Sequence, residues 1–214
     1  APAAKSKENV MRETSKKGQI KKAYKEHVLG LLSAALLTFT ASSMTLAQGE
    51  VRESASHRFE EVADGVWFAT GTGSVYTMSN ALVLVGSEDT LLVDSHVTAA
   101  ASMALIDSLS VLTDKPVRYL VNSHYHFDHA HGNQSFPPGV EIIGHEYTRM
   151  KLNGEAGNVL EEITFKSFSD PVPGTVRSLE RQAADASSGE RREQLLKQAK
   201  VQRDYMEAIK EIVP

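Results

Sequence analysis

Residues 117–133 read VRYLVNSHYHFDHAHGN. The first five, Val117 to Val121, are mostly apolar or β-branched and predict a short strand. The loop behind it holds His124, His126, Asp128 and His129 within six residues, an H-x-H-x-D-H spacing. In α/β sheets, ligands gather beyond the carboxyl ends of strands. A loop there can point alternate residues to one side, so His124 and His126 can grip one ion while Asp128 and His129 turn toward a second. Imidazole and carboxylate donors without sulfur suit zinc, iron or manganese. Two such ions supply an activated water and a polarised carbonyl, with Asp128 expected to hold the second ion and orient the water. A fortuitous His-rich loop would not need Asp128 at that spacing.

Upstream, Phe59–Val62, Val66–Thr70, Ser74–Thr77, Asn80–Val85 and Thr90–Val93 predict short strands, separated by Gly65, Gly71, Gly73 and the Gly86-Ser87-Glu88-Asp89 cluster. Asp64-Gly65 is a hairpin turn signal. ALVLVGSEDTLLVD predicts two buried strands joined by a four-residue polar turn. Val97 to Leu109 is Ala-rich with apolar Ala100, Met103, Leu105 and Leu109, a helix packed on a sheet. Val140–Ile143 predicts a further strand and His145–Leu152 a helix. Strand, helix, strand, helix implies an α/β layered domain with parallel crossovers. Beyond Gly157 the breaker cluster Asp170-Pro171-Val172-Pro173-Gly174 precedes two predicted helices, Thr175–Ala186 and Gly189–Ile212. Ser187 and Glu190 fit a capping box for the second. Its stripe of Leu195, Ala199, Met206, Ile209 and Val213 is assigned to core contact. Gly71-Thr72-Gly73 is not a nucleotide loop, because Tyr76 stands where a third Gly is needed and no helix follows.

The chain has 214 residues, a formal charge of −4 and no cysteine. Mild acidity argues against nucleic acid as a partner. Without cysteine there are no disulfides, thiol nucleophiles or thiolate metal sites. Near the start, Lys16, Lys17, Lys21, Lys22 and Lys25 precede the apolar run VLGLLSAALLTFTA (28–41), and Thr45 and Ala47 follow as small residues. That order is a secretory signal peptide with cleavage near Ala47. The apolar run is too short for a comfortable membrane span. There is no twin-Arg pair and no lipid-attachment cysteine. The expectation is a periplasmic or secreted protein with no stable membrane anchor after cleavage.

The segments from about Phe59 to Lys151 resemble the metallo-β-lactamase superfamily. DGVWFATG is similar to its opening hairpin, LLVDSH to its strand ending in Asp, KPVRYLVNSHYHFDHAHGN to its metal strand and loop, and VEIIGHEYTR to the strand and helix that follow. The resemblance implies an α/β fold of αββα sandwich type, with only the N-terminal half present and C-terminal helices after it. Residues 1–47 are then leader and signal peptide, 48–157 the N-terminal half of the domain, and 158–214 a helical insertion or connection to a second half. It implies His124 and His126 on a first metal, Asp128 and His129 on a second, and Asp94 as a support for the metal loop. Asp94 also fits a helix N-cap or a turn. His129, where Cys-dependent relatives have Arg, is similar to the all-histidine dinuclear branch, whose cofactor is two Zn2+, iron or manganese being alternatives. His131 stands where the family usually has Gly and is expected to face solvent or support the loop, not to ligate. His96 and His145, near strand ends, are assigned structural roles.

A complete site of that family has three further ligands downstream, a His, a bridging Asp and a late His. No histidine follows His145. The simplest account is a chain that stops before its second half, inactive or nearly so alone, with an exposed sheet edge and an uncovered apolar face. The implied function is a metal-dependent hydrolase of a small-molecule ester, thioester, lactone or lactam. The alternatives are a metallo-β-lactamase acting on β-lactam antibiotics, an iron-dependent oxidoreductase relative, and a non-catalytic relative.

Overall fold

Asp64-Gly65 and Gly86–Asp89 set the first half of the sheet. Gly65 takes φ +69, a left-handed turn conformation that costs glycine nothing, and joins β2 (His57–Ala63) to β3 (Val66–Gly71). The polar turn closes with Gly86 N donating to Asp89 O at 2.9 Å and joins β4 (Ala81–Val85) to β5 (Thr90–Val93). The structure, a computed structural model, describes residues 49–212, leaving out the side chains of residues 163 and 164. The expected signal peptide lies outside the described residues.

With β1 (Val51–Glu53), β6 (Val117–Val121) and β7 (Glu141–Ile143), the strands form one seven-stranded sheet in sequence order. Each neighbouring pair from β1 through β5 is antiparallel. The pairs β5–β6 and β6–β7 are parallel. Helix α1 (Ala99–Ser108) makes the β5–β6 crossover, as expected; Thr98 caps it by accepting from Ala101 N. Leu105 and Leu109 pack from the α1 segment onto Phe59, Trp67, Ala69, Val83, Leu92 and Leu120, the core on one face of the sheet. Burial of each large side chain there contributes roughly 1.5–3 kcal/mol. On the opposite face Leu82, Leu84 and Leu91 are half-buried, and the β7 edge leaves Ile142 and Ile143 exposed.

The metal-loop segment carries a short helix, α2 (Phe127–Ala130), followed by a 3-10 turn over His131–Ser135. Helices α3 (Glu146–Leu152), α4 (Ile163–Ser169), α5 (Val172–Ala184) and α6 (Gly189–Ala208) complete the described chain. A second cluster joins Val172 and Val176 of α5 and Tyr205 of α6 to Phe127 and Val97. Of the expected helical stripe, Leu195 and Ala199 are buried and Met206 and Ile209 pack against this cluster, while Val213 lies outside the described residues. Among the described residues no helix is long and apolar enough to cross a membrane.

Three local expectations are corrected, and one helix, α4, was not expected. Ser74–Thr77 is not a strand: Gly73 (φ +86) and Met78 (φ +60) turn the backbone on either side, and Tyr76 packs on Tyr205 with ring centroids 4.5 Å apart. Helix α5 begins at Val172, three residues earlier than Thr175, because proline is tolerated in a first helical turn that needs no N–H partners. Helix α4, seven residues long, spans too few turns for a periodic pattern to show. The cap of α6 is Ser188, which accepts from Arg191 N at 3.2 Å, and not Ser187.

Candidate metal centre

The parallel register pairs Val93 with Val121, so the residues after β5 and β6 emerge side by side. Asp94 follows β5 with its backbone at φ +68 and its N–H on Val121 O. Its carboxylate accepts from Ser123 N (2.8 Å), Ser123 Oγ (2.8 Å) and His129 Nδ1 (2.7 Å). Asp94 is thus tied to the loop and does not cap α1, a task Thr98 performs. Because the Ser123 hydroxyl donates to Asp94, its oxygen accepts from His124 Nδ1 at 3.0 Å. One buried carboxylate therefore sets the proton on Nδ1 of both His124 and His129. In the neutral rings this leaves both Nε2 lone pairs open, the arrangement common behind metal-binding imidazoles.

The side chains expected as ligands lie near one another in pairs. The His124 ring lies 4.6 Å from that of His126 and 4.2 Å from that of His129. Asp128 Oδ2 stands 3.3 Å from His129 Nε2. Contacts with Asp128 and Asp94 raise His129 to about 9, so the metal-free ring is a cation at neutral pH. Burial pushes the Asp94 and Asp128 carboxyls up, but hydrogen bonding to His129, joined by Ser123 at Asp94, outweighs it and both lie below their ordinary values. Burial first, then His129 and His126, lowers His124. Imidazole and carboxylate are donor types a divalent cation takes, and an ion at His129 Nε2 would have to displace the proton now shared with Asp128. Among the described residues, no three His, Asp or Glu side chains are grouped so that they could hold an ion. His124 lies between the rings of His126 and His129, and His129 Nε2 faces Asp128.

The loop is held from below. Ser95 N donates to His129 O (2.8 Å), and Ser95 Oγ donates to Asn133 Oδ1 (2.8 Å). Asn122 and Asn133 exchange side-chain hydrogen bonds of 3.0 and 2.8 Å. At Gly132 only a hydrogen fits, since a Cβ would stand 1.9 Å from Ser95 O and 2.6 Å from Ser102 Cβ. Phe127 anchors the other side, 5.1 Å from Phe165 and 5.9 Å from Phe168 of α4.

His131 does not face solvent: it is buried beside Phe127 and Phe165, with neither ring nitrogen partnered among the described residues, and burial lowers it to about 4. His145 caps α3 by accepting from Tyr147 N. His96 is structural, as expected, but its partner was not foreseen. His57 Nε2 meets His96 Nε2 at 3.1 Å in the interior, and burial lowers the two to about 4 and about 3. The HRFEEVA alternation, which places His57 on the same inward face as Phe59, was the available signal. Nothing in the sequence marked Ser123 or Ser79.

The family model described as "Metallo-beta-lactamase superfamily" matches residues 76–181, a span containing the whole H-x-H-x-D-H loop. No curated protein matches the chain. Among solved structures it is similar to a metallo-beta-lactamase from Erythrobacter litoralis with beta-mercaptoethanol in the active site, at 26% identity over 47% of this chain and 46% of that one, TM-score 0.39. It is also similar to one from Hirschia baltica, at 24% identity over 44% and 45%, TM-score 0.38. A third is FIM-1 from Pseudomonas aeruginosa in its mono-zinc form, at 21% identity over 46% of each chain, TM-score 0.39. The chain spans about half the length of these structures. The chain belongs to the metallo-beta-lactamase superfamily.

Proposed function

We propose that this chain carries part of the metal centre of a dinuclear, all-histidine hydrolase acting on a small-molecule ester, thioester, lactone or lactam. His124 and His126 would hold one ion, and Asp128 and His129 the other, zinc being the metal the donor set suits best. When bound, such ions supply Lewis acidity to a carbonyl and lower the pKa of a water toward neutrality. The protein's own part is orientation. Asp94 keeps the Nδ1 protons of His124 and His129 in place, the second directly and the first through Ser123. Asp128, 3.3 Å from His129 Nε2, would stay an ionised carboxylate and orient that nitrogen, while the Nε2 proton would leave to solvent. The helices α4–α6 wall the loop through Phe127 and keep its backbone from moving. A signal peptide ending near Ala47 would send the mature protein to the periplasm or outside the cell.

The observation that carries this reading is the single carboxylate, Asp94, that prepares two neighbouring imidazoles as Nε2 donors. Two imidazoles on the first ion are fewer than a closed zinc site uses, so the chain by itself is expected to bind zinc weakly and to turn over little substrate. Equilibrium dialysis against zinc tests it, with a panel of chromogenic ester, thioester, lactone and cephalosporin substrates run with and without chelator. Bound zinc should fall to background in the His124→Ala/His126→Ala double variant. Zinc binding indifferent to that double change would overturn the assignment.

A further inference from the structure

Behind the metal loop lies a second polar system that the reading above does not use. Ser54 Oγ donates to Ser108 Oγ at 2.7 Å, and Ser108 Oγ donates to Ala104 O at 2.6 Å. Ser56 Oγ lies 3.0 Å from His57 Nδ1. His57 Nε2 lies 3.1 Å from His96 Nε2, and His96 Nδ1 lies 3.2 Å from Ser79 Oγ. The Ser79 hydroxyl donates to the backbone carbonyl of Asp128. Both imidazoles are fully buried.

The proton positions follow from the far end. A carbonyl only accepts, so the single Ser79 proton points at Asp128 O. Ser79 Oγ must then accept from His96, which places the His96 proton on Nδ1 and leaves Nε2 a lone pair. His57 therefore donates from Nε2, and its Nδ1 accepts from Ser56. A second proton on His96 would breach this order, because it sets two N–H groups face to face at 3.1 Å. From His57 Nε2 through His96 and Ser79 to the Asp128 carbonyl, each donor meets one acceptor and the direction is single. His96 reaches this interior place only because its backbone sits at φ +65, an unusual conformation for a residue with a Cβ.

We propose that Ser79, His96 and His57 are positioning residues of the metal loop, forming a one-directional hydrogen-bonded chain that fixes the backbone of Asp128 and so aims its carboxylate. Asp94 and Ser95 hold the loop from β5; this chain holds it from β2, across the core. The proposal rests on the reading of the loop as a metal centre, and it concerns how tightly that centre is formed.

Two measurements on the full chain test it. Long-range 1H–15N correlation of the metal-free protein should show His96 as the Nδ1–H tautomer and His57 as the Nε2–H tautomer. The opposite tautomer at His96 would overturn the proposal. Zinc affinity, read by competition with a chromophoric chelator, should fall about 10- to 100-fold in Ser79→Ala, the usual effect of losing a group that orients a ligand. Ser79→Thr, which keeps the hydroxyl, should restore it. Wild-type affinity in Ser79→Ala, while His124→Ala/His126→Ala abolishes binding, sinks the positioning role and leaves the metal centre standing. A wild-type chain that binds no zinc sinks both. Should Ser79→Ala not fold, the tautomers and the Ser79→Thr affinity still decide: a wrong tautomer, or tenfold weaker zinc in Ser79→Thr, counts against the chain.

Discussion

Replacing Asp94 by Asn removes one charge and leaves the shape. Asn tolerates the positive φ at this position better than most residues, so the backbone is undisturbed. Oδ1 still accepts from Ser123 N. In place of Oδ2 stands an amide NH2, and the Ser123 hydroxyl can turn to accept from it. His129 has no such freedom, because its Nδ1 proton would meet another donor. A hydrogen bond to a charged group contributes about 1.5–3 kcal/mol. The electrostatics give a similar figure. The rise of His129 from 6.5 to about 9 corresponds to ~3 kcal/mol shared between Asp128 and Asp94. Asp128 and Asp94 both raise it; the Asp94 contact is 2.7 Å against 3.3 Å for Asp128, which gives Asp94 about half, ~2 kcal/mol. A raised histidine stabilises fully below pH 6.5 and loses that contribution as pH climbs through 9. Urea unfolding of the metal-free protein at pH 6 should therefore show Asp94→Asn less stable by ~2 kcal/mol, a midpoint shift of roughly 1 M at ordinary slopes. The gap should shrink by pH 10. The variant also drives the His129 proton to Nε2, so zinc affinity should fall about 10- to 100-fold. A stability gap under ~0.5 kcal/mol at pH 6, or one that stays constant to pH 10, refutes the reasoning.

Acid should unfold the protein early. His57, His96 and His131 are held neutral by burial at about 4, about 3 and about 4, so stability is lost as pH falls from 6.5 toward 4. Between pH 7.5 and 5 this amounts to on the order of 4 kcal/mol, after ~1 kcal/mol of opposite sign from His129; a flat urea midpoint across that range would show these rings are not buried neutral. Gly132→Ala should cost ~3 kcal/mol or prevent folding, since its methyl meets backbone at Ser95; a thermal midpoint within a few degrees of wild type argues against the packing described. Tyr205→Phe should be neutral or stabilising by ~1 kcal/mol, because the buried Tyr205 hydroxyl has no partner among the described residues; a loss of more than ~1 kcal/mol would reveal a partner for it.

The sheet was legible because its signals are local. Asp64-Gly65, the Gly86–Asp89 turn and the apolar runs on either side depend on neighbours in sequence, and β2 to β6 follow them closely. Ser74–Thr77 failed because the pattern describes composition, while Tyr76 is claimed by a residue more than a hundred positions away, Tyr205. The helix start at Val172 failed for a related reason: a Pro-Val-Pro-Gly run breaks a helix interior but not its first turn. At the site, the ligand types and their spacing were readable, whereas the arrangement behind them was not. Ser123, Ser79 and His57 are ordinary residues in sequence, and only the parallel β5–β6 register and the inward face of β2 bring them to the loop.

Three residues, Asp94 to His96, explain why these two support systems coexist. Extended backbone sends alternate side chains to one face, so Asp94 and His96 would ordinarily point together. Here both take positive φ, +68 and +65. The backbone turns twice within three residues, Asp94 reaching the open side of the loop and His96 the core. Each such conformation costs on the order of 1–3 kcal/mol. The cost is offset by contacts only this path allows: the carboxylate on Ser123 and His129, Ser95 N on His129 O, Gly132 N on His96 O, and His96 between His57 and Ser79. All but the His57 contact terminate on the loop that bears the candidate ligands or on Ser79, which is bonded to it. A strained segment whose return is chiefly the fixed position of one loop is what a metal centre needs and what a merely structural turn does not, and it ties the fold of the sheet to the chemistry at its edge.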